Sequence, residues 1–186
     1  MAKLISSILI TLDGFVAGPN GELDMFNIEQ EFFDLSEKLT AAAGTALYGR
    51  GTYHVMDSYW PTAADKPNAS SHDKNHAAWY KSVEKIVLST TLKSNRPDTR
   101  VISTDISSEI AKLKREREKN IQILGSPAVV RSLMPLGLID EYWFFIAPIV
   151  IGRGMPLFTG SIDKMPLHHV SSKSLASGMV LLRYEK

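Results

Sequence analysis

Three glycine-containing junctions have the residue types and spacing to hold a ligand, at positions 13–18, 49–52 and 125–128. Each junction follows a short apolar run that is typical of a buried strand. Glycine allows a backbone to approach a ligand closely, and the free N–H groups at the start of a helix attract phosphate. In an open α/β sheet, ligands bind beyond the carboxyl ends of the strands, where such junctions lie. One junction alone is equally typical of a turn, so the prediction of a ligand site depends on all three together.

Polar side chains next to these junctions add hydrogen-bond donors that suit an anion. Arg50 follows a predicted strand and offers a forked guanidinium group to a phosphate, while Thr52 and Ser89 add hydroxyl groups. The sequence contains neither G-x-G-x-x-G nor G-x-x-x-x-G-K-[ST], which excludes the dinucleotide fingerprint and the P-loop. Arg50 is therefore the first candidate for an anion contact.

Metal chemistry and cysteine chemistry are not indicated. The chain has no cysteine, which excludes disulfides, thiolate zinc sites, iron–sulfur clusters and a cysteine nucleophile. His72 and His76 have the H-x-x-x-H spacing, but Asp73 occupies the position where zinc peptidases have glutamate. His168 and His169 are neighbours on a predicted strand and point to opposite faces, which does not favour a shared ion. We expect no metal site.

The elements that must position these residues alternate between strands and helices. Short runs rich in Ile, Val and Leu predict strands, and apolar spacings of three and four predict helices. Predicted strands cover residues 3–12, 45–48, 85–89, 100–103, 121–124, 140–147, 167–171 and 179–184. Predicted helices cover residues 29–43, a short stretch through 53–56 that stops before Pro61, a stretch from 104 or 105 to 119, and a stretch from 126 or 127 to 137.

The order of these elements indicates the fold class. Residues 61–75 have almost no apolar periodicity, which predicts a long surface loop. The remaining segments follow a βαβα order and close with strands. This order predicts an α/β fold with a mostly parallel central sheet of about eight strands, helices on both faces and an antiparallel C-terminal hairpin.

Length and charge restrict the class of protein further. The 186 residues fit one domain, 1–186, and 21 Lys plus Arg against 20 Asp plus Glu give a net charge of +1. A dedicated nucleic-acid binder would show a strong basic excess, so no nucleic-acid partner is expected. No apolar stretch approaches the about 20 residues of a membrane span, and the N-terminus lacks a signal-peptide cleavage site. We expect a soluble, cytoplasmic protein with no membrane partner.

Five segments together resemble the dihydrofolate reductase-like superfamily, and more closely its branch related to the C-terminal reductase domain of the riboflavin-biosynthesis protein RibD. The resemblance spans nearly the whole chain in family order and spacing, and its last segment is the most specific. The segments are 11–18, 47–53, 85–89, 124–126 and 136–158. The resemblance implies a dihydrofolate reductase-like fold and an NADPH-dependent oxidoreductase, of the dihydrofolate reductase type or the 5-amino-6-(5-phosphoribosylamino)uracil reductase type.

The resemblance also implies roles for individual residues. Arg50 and Thr52 would hold cofactor phosphates, and Ser89 would lie near the adenosine 2′-phosphate. Ala17 would lie beside the nicotinamide carboxamide, and residues 125–129 would meet the pyrophosphate. The implied NADPH contacts are Ala17, Gly49, Arg50, Thr52, Leu88, Ser89, Gly125, Ser126, Ala128 and Val129. The implied contacts to a small heterocyclic substrate are Thr11, Asp24, Met25, Met56 and Trp60, although Trp60 packed beneath the neighbouring loop is an equal alternative.

Asp24 is the candidate catalytic residue, because hydride transfer leaves a nitrogen or oxygen that must be protonated. The resemblance places this acid at the pterin-side pocket, where burial would favour its protonated form. An N-cap ahead of Met25 is the alternative role for Asp24, and both stay open.

Two positions depart from the family pattern. Ser126-Pro127 stands where the family has further glycine, so the Ser126 side chain is expected to crowd the pyrophosphate. Met25 stands where the family often has tryptophan, which changes the shape of the pocket.

The sequence therefore predicts an NADPH-dependent reductase that transfers hydride to a pteridine-like or ribosylaminopyrimidine-like small molecule. A non-catalytic NADP(H)-binding sensor or regulatory protein of the same fold is the alternative. A relative that binds no dinucleotide is a third hypothesis. We also expect a homodimer, because the apolar strand 142–146 and the edge after it need covering.

Overall fold

The computed structural model describes residues 1–160 and 164–186, and in those ranges the chain forms ten strands and five helices. The strands are β1 (Leu4–Thr11), β2 (Phe15–Ala17), β3 (Ala43–Gly49), β4 (Glu84–Leu88), β5 (Thr99–Ile102), β6 (Asn120–Leu124), β7 (Glu141–Ala147), β8 (Met155–Pro156), β9 (His168–Ser174) and β10 (Val180–Glu185). The helices are α1 (Gln30–Ala41), α2 (Arg50–Ala63), α3 (Ser71–Ser82), α4 (Ile106–Glu116) and α5 (Pro127–Leu133).

Within the described ranges, eight strands form one sheet in the order β5-β4-β3-β6-β1-β7-β10-β9. Neighbours from β5 to β7 pair in parallel, whereas β10 pairs antiparallel with both β7 and β9. This arrangement confirms the predicted α/β fold, its mostly parallel sheet and its antiparallel C-terminal hairpin. A small second sheet of β2 and β8 was not expected, because strands of three and two residues are too short to show a period.

The sheet is covered on both faces, which explains the nearly continuous apolar runs of its central strands. On one face, Leu4, Leu47 and Ile123 pack in the same buried cluster as residues of α4 and α5. On the other face, Tyr48 and Val87 pack with residues of α2 and α3. A third cluster joins α1 to β7 and β10. The predicted placement of helices on both faces is confirmed.

The predicted surface loop at residues 61–75 is confirmed only for residues 64–70, because the residues on either side of that stretch are helical. Helix α2 continues through Pro61 to Ala63, and α3 begins at Ser71. Ser70 and Asp73 form a reciprocal capping box that starts α3. The apolar period was hidden because two of the buried positions on this helix are His72 and His76, which count as polar in a sequence pattern.

The fourth helix also differs from its prediction. It ends at Glu116 rather than near residue 119, and strand β6 begins at Asn120. Asp105 is its N-cap residue, with a left-handed backbone at φ 50°, but the Asp105 side chain makes no capping bond to the helix. The Asp105 carboxylate therefore does not cap this helix.

Strand β7 has neighbours on both sides, β1 and β10. The premise that this apolar strand needs a partner copy to cover it is therefore wrong, because β1 and β10 pair with both of its edges within the chain, and the homodimer itself stays a prediction. The outer strand β9 is instead polar and mostly exposed. In the described part of the chain, no helix is both long enough and apolar enough to span a membrane.

Candidate functional site

The carboxyl ends of β3, β4 and β6 lie at one edge of the sheet. Gly49 is paired with Leu88, and Leu47 is paired with Ile123, so the residues after these three strands begin at the same level. The structure thus brings together three of the segments predicted to hold a cofactor. We call residues 49–52, 88–91 and 125–129 the cofactor side of the site.

Arg50 is the first residue of α2, at the helix end that favours anions. Gly49 is the N-cap, and the first turn contains no acidic residue and receives no side-chain cap. The first N–H groups of a helix have no partner within the helix, and the helix dipole adds partial positive charge there. Arg50 is exposed and its Nη1 donates to Thr91 Oγ1 at 2.8 Å. Sequence reasoning missed Thr91. Its position, two residues after the candidate Ser89 in the same turn, could have indicated that it lies at the site.

Ser89 organises the turn after β4. Its Oγ accepts hydrogen bonds from the N–H groups of Leu92 at 2.9 Å and Thr91 at 3.2 Å. The Thr91 hydroxyl lies 3.5 Å from Ser89 Oγ and also receives the Arg50 hydrogen bond, so one residue links the two predicted contacts. Thr52, on the first turn of α2, is half-buried.

Gly125 and Ser126 both have left-handed backbones, with φ of 58° and 54°. The Ser126 side chain is 2% exposed, and its Oγ accepts the Gly49 N–H at 2.6 Å. Its side chain therefore lies inside the fold, and the expected crowding of the open edge by Ser126 is wrong. Val129 is buried in the core beneath this junction, whereas Ala128 is exposed.

The cofactor side therefore fits a phosphate-bearing dinucleotide. Its backbone is open at Gly51 and Gly125, where a Cβ would meet no atom within 4 Å. The exposed charge on the cofactor side is the guanidinium of Arg50, and the first turn of α2 contains no acidic side chain. An anion placed here meets positive charge and free N–H groups without having to displace a side chain.

A second set of predicted residues lies where β1 ends. Thr11 is buried, its hydroxyl donates to Asp13 Oδ1 at 2.6 Å, and its Oγ1 accepts the Phe15 N–H at 2.9 Å. Asp13 Oδ2 accepts the N–H groups of Ile151 at 3.2 Å and Gly152 at 2.8 Å. These bonds, the one from Thr11 first, hold the pKa of Asp13 below its ordinary value. We call residues 11–25 and 148–155 the substrate side of the site.

Ala17 lies against the segment that contains Gly154. The two strands β2 and β8 pair here, with Ala17 opposite Met155. A Cβ at Gly154 would collide with the Ala17 carbonyl oxygen and lie 3.2 Å from the Phe15 ring, so only glycine allows this approach. Residues 152–154 form a bend at the sheet margin.

An open depression of about 280 Å³ on the substrate side contains the predicted acid. Its lining residues are Gly18, Pro19, Glu22, Asp24, Met25, Ile151 and Arg153. Asp24 and Met25 are thus together, as predicted, but Asp24 is exposed, so its expected burial is wrong. Its alternative role as a helix cap is also wrong, because Asp24 lies in a turn and α1 begins only at Gln30. Sequence reasoning did not assign Arg153 to this place.

Met56 and Trp60 lie elsewhere, on α2 where that helix packs against α3. The Trp60 indole N–H donates to Met56 Sδ at 3.0 Å, and the Trp60 ring centroid lies 4.0 Å from that of His76. The structure does not bring these two residues together with Asp24. Trp60 is therefore packed within the protein, as the alternative prediction stated, but it packs against helix α3 and not beneath a loop.

The histidines of α3 take part in this packing. His72 Nδ1 lies 3.0 Å from Glu37 Oε1 on α1. Neither ring nitrogen of His76 has a hydrogen-bond partner among the described residues, and burial, followed by the nearby His72, lowers the pKa of His76 to about 3. In residues 1–160 and 164–186, no group of three or more His, Cys, Asp or Glu side chains has the geometry to hold an ion.

Comparison with known proteins places the chain in a recognised family. The family model described as RibD C-terminal domain matches residues 2–181. The chain is 30% identical over 186 residues to the protein of Bacillus subtilis (strain 168) named Uncharacterized protein YyaP, covering 98% of this chain and 94% of YyaP.

Solved structures share the fold at lower identity. A structure described as a putative riboflavin biosynthesis protein from Shewanella sp. PV-4 has a TM-score of 0.73 and 21% identity, covering 100% of this chain and 98% of that one. A diaminohydroxyphosphoribosylaminopyrimidine deaminase/5-amino-6-(5-phosphoribosylamino)uracil reductase from Thermotoga maritima has a TM-score of 0.67 and 14% identity. The match covers 99% of this chain but 56% of the Thermotoga protein.

Proposed function

Because the chain belongs to the RibD C-terminal domain family, we propose that it is an NADPH-dependent reductase of a pteridine-like or ribosylaminopyrimidine-like small molecule. Family membership supports an oxidoreductase at the coarse level. The cofactor and the substrate class are the parts that we add. The name of the Thermotoga protein includes a reductase of 5-amino-6-(5-phosphoribosylamino)uracil, and this compound and dihydrofolate are the first substrates to test.

The geometry of the cofactor side is the observation that carries this proposal. Arg50 stands at the start of α2 with Thr91 and Ser89 beside it, and a Cβ at the neighbouring Gly125 would meet no atom within 4 Å. Arg50, Thr52 and Ser89 would hold phosphate groups of NADPH. Gly125 would allow the pyrophosphate to approach the backbone.

The proposed reaction needs a hydride and a proton. NADPH, when bound, supplies the hydride to an electron-poor carbon of the substrate. Ala17, on strand β2, would position the nicotinamide beside the depression that contains Asp24. Asp24 is exposed, so it would exchange protons with solvent and pass one through a water molecule to the substrate nitrogen or oxygen that becomes negative.

A nucleotide titration tests the first half of this proposal. We expect NADPH to bind more tightly than NADH, as measured by quenching of tryptophan fluorescence and by thermal shift. Arg50→Ala should weaken NADPH binding by about tenfold or more, because it removes a charge-assisted contact to phosphate. Arg115→Ala is the matched control, since Arg115 is exposed on α4. Absence of binding by either nucleotide at millimolar concentration would refute the proposed chemistry.

Turnover separates the reductase from the alternative of a non-catalytic NADP(H)-binding sensor. The exposure of Asp24 is the observation that favours the sensor, since a catalytic acid is usually shielded from water. In the reductase, Asp24→Asn should leave NADPH binding intact and slow oxidation of NADPH in the presence of substrate. In the sensor, no heterocycle should cause NADPH oxidation in either form of the protein.

A homodimer remains part of the proposal. Its support is now the exposure of two large apolar side chains, and no longer the need to cover strand β7. Val150, on the substrate side, and Phe158 are large apolar side chains that are 64% and 51% exposed. Light scattering after size-exclusion chromatography should give the mass of two chains. A mass of 20.6 kDa would correspond to a monomer.

A further inference from the structure

Two side chains on helix α2 hold the segment 89–98, which follows strand β4. At the start of α2, Arg50 Nη1 donates to Thr91 Oγ1 at 2.8 Å. Two turns later, Asp57 accepts Arg96 Nη1 on both of its oxygens, at 2.7 and 2.9 Å. Positions seven residues apart share a face of an α-helix and are separated by about 10 Å along its axis. One face of α2 thus holds this segment at two points.

Arg96 also connects this face of α2 to a buried side chain of β4. Its Nε donates to Asp98 Oδ1 at 3.2 Å, and Asp98 Oδ2 accepts Lys85 Nζ at 2.9 Å. Lys85 is fully buried, and its Nζ also donates to the Val83 carbonyl at 3.0 Å. Burial alone would raise the pKa of Asp98, but the hydrogen bonds from Lys85 and Arg96 outweigh it and hold that pKa below its ordinary value. The guanidinium of Arg96 therefore bridges two carboxylates, one on α2 and one anchored in the sheet.

Residues 89–98 form neither helix nor strand, so their position depends on such contacts. Loops are usually more mobile than the elements that they connect. This one contains Ser89 and Thr91, which lie beside Arg50 at the proposed phosphate site. Fixing these polar groups before a ligand arrives lowers the entropy cost of binding, which increases affinity without any new contact.

We propose that Arg96 is a positioning residue of the nucleotide site. By joining the two carboxylates, it holds the segment along α2 and keeps Thr91 beside Arg50. Arg96 contacts α2 two turns away from Arg50, so it acts through the segment and not by sharing a phosphate. The inference rests on the proposed function, because it takes this site to bind NADPH.

Two variants break this connection from opposite sides. Arg96→Gln removes the guanidinium. Asp57→Asn removes its partner on α2 but keeps an oxygen that can accept the Tyr80 hydroxyl, as the carboxylate does at 3.2 Å. The Arg96 side chain is 45% exposed, and ion pairs at the surface contribute little to stability, so we expect both variants to fold.

Arg117→Gln is the matched control. Arg117 also donates from one nitrogen to both oxygens of a carboxylate, that of Glu84 at the start of β4, at 2.8 and 2.6 Å. That ion pair includes no residue of the segment. Dissociation constants for NADPH and NADH are measured by tryptophan fluorescence for the unmodified protein, the three variants and the double variant that combines Arg96→Gln with Asp57→Asn.

We expect Arg96→Gln and Asp57→Asn each to weaken NADPH binding about fivefold and to leave NADH binding unchanged. Only NADPH carries the 2′-phosphate that is proposed to lie near Ser89. The double variant should bind NADPH no more weakly than either single variant, because both changes remove the same connection. Arg117→Gln should bind both nucleotides as the unmodified protein does.

Several results would overturn the inference. One is an unmodified protein that binds NADPH and NADH equally, and another is an Arg96→Gln variant that keeps its full affinity for NADPH. A third is an equal loss of affinity for both nucleotides, or the same loss in Arg117→Gln, because either would mean general damage to the fold. If Asp57→Asn binds NADPH as well as or better than the unmodified protein, Arg96 acts by direct contact and not by positioning.

Hydrogen exchange and turnover separate this inference from the proposed reductase activity. The N–H groups of Thr91 and Leu92 donate to Ser89 Oγ, and Arg96→Gln should speed their exchange about threefold or more without any nucleotide. Unchanged exchange would overturn the inference. If Arg96→Gln loses the preference for NADPH but no heterocycle supports NADPH oxidation, the reductase proposal fails and the inference stands. If NADPH is oxidised and the preference survives, the inference alone fails, and if neither nucleotide binds, both fail.

Discussion

The cofactor side and the substrate side of the site differ in how firmly the fold fixes their polar groups. On the cofactor side, hydroxyl oxygens bond to the backbone: Ser126 Oγ accepts the Gly49 N–H at 2.6 Å, and Ser89 Oγ accepts the Leu92 N–H at 2.9 Å. On the substrate side, Asp24 and Arg153 are exposed and form no ion pair in the described part of the chain. Only the backbone beneath them is fixed, through Asp13 and Gly154.

This difference suggests that the two sides of the site tolerate sequence change unequally. The cofactor side is built at strand ends, whose positions follow from the register of the sheet. The substrate side is built from a turn and a bend that are held at a few points, so side chains between those points are free to vary. Rigid support beneath exposed, variable side chains is a common arrangement for a specificity site.

Gly154→Val should cause the largest loss of stability, because Gly154 is one of the few positions that fix the backbone of the substrate side. A side chain at this position collides with the Ala17 carbonyl oxygen, and a Cβ would already lie 3.1 Å from Ile151 Cδ1. Backbone must move to relieve this contact, and we expect a loss of about 3 kcal/mol in the free energy of unfolding. Chemical denaturation followed by tryptophan fluorescence measures the loss.

Gly51→Ala is the corresponding change on the cofactor side. An added Cβ at Gly51 meets nothing within 4 Å, and this residue lies in α2. We expect a gain of about 0.5–1 kcal/mol, since alanine favours helix over glycine. An unchanged denaturation midpoint for Gly154→Val would show that the bend is soft and that the substrate side lacks the anchor we assign to it.

The elements that could be predicted from the sequence are those whose apolar residues form a clear pattern. Strands β1, β3 and β6 were predicted because burial on both faces makes their apolar runs nearly continuous. Helix α3 was missed because two histidines occupy its buried face, and β2 and β8 were missed because they are too short to show a period. Composition alone does not indicate that a polar side chain will be buried by residues far away in the chain.

The site could be predicted only where it follows strand ends. Arg50 and Ser89 come directly after β3 and β4, so their proximity follows from parallel pairing. Met56 and Trp60 were grouped with Asp24, but the continuation of α2 to Ala63 carries them into the packing against α3. The role of Asp13 depends on contacts with Ile151 and Gly152, about 140 positions away, which no local pattern contains.

Ser126→Ala should cause an intermediate loss of stability, and it tests how firmly the cofactor side is held by the fold. The change removes the acceptor of the buried Gly49 N–H, and a buried donor without a partner costs about 2 kcal/mol of folding free energy. Ser58→Ala is the matched control, because the Ser58 hydroxyl is exposed and bonds only to a carbonyl of its own helix. If both variants unfold at the same denaturant concentration, the Ser126 bond does not stabilise this junction.

Asp13→Asn should cause the smallest loss of stability. The dependence of that loss on pH shows whether the carboxylate charge is its cause. The pKa of Asp13 is held below its ordinary value of 3.8, chiefly by the Thr11 hydroxyl, so the carboxylate stabilises the folded protein above about pH 4. This contribution is lost as the pH falls through the folded-state pKa. The difference in Tm between the unmodified protein and Asp13→Asn should therefore be small at neutral pH and shrink toward zero in acid. A difference that stays constant down to about pH 2 would mean that the shape of the Asp13 side chain holds the bend in place, and not the negative charge of the carboxylate that accepts the Ile151 and Gly152 N–H hydrogen bonds.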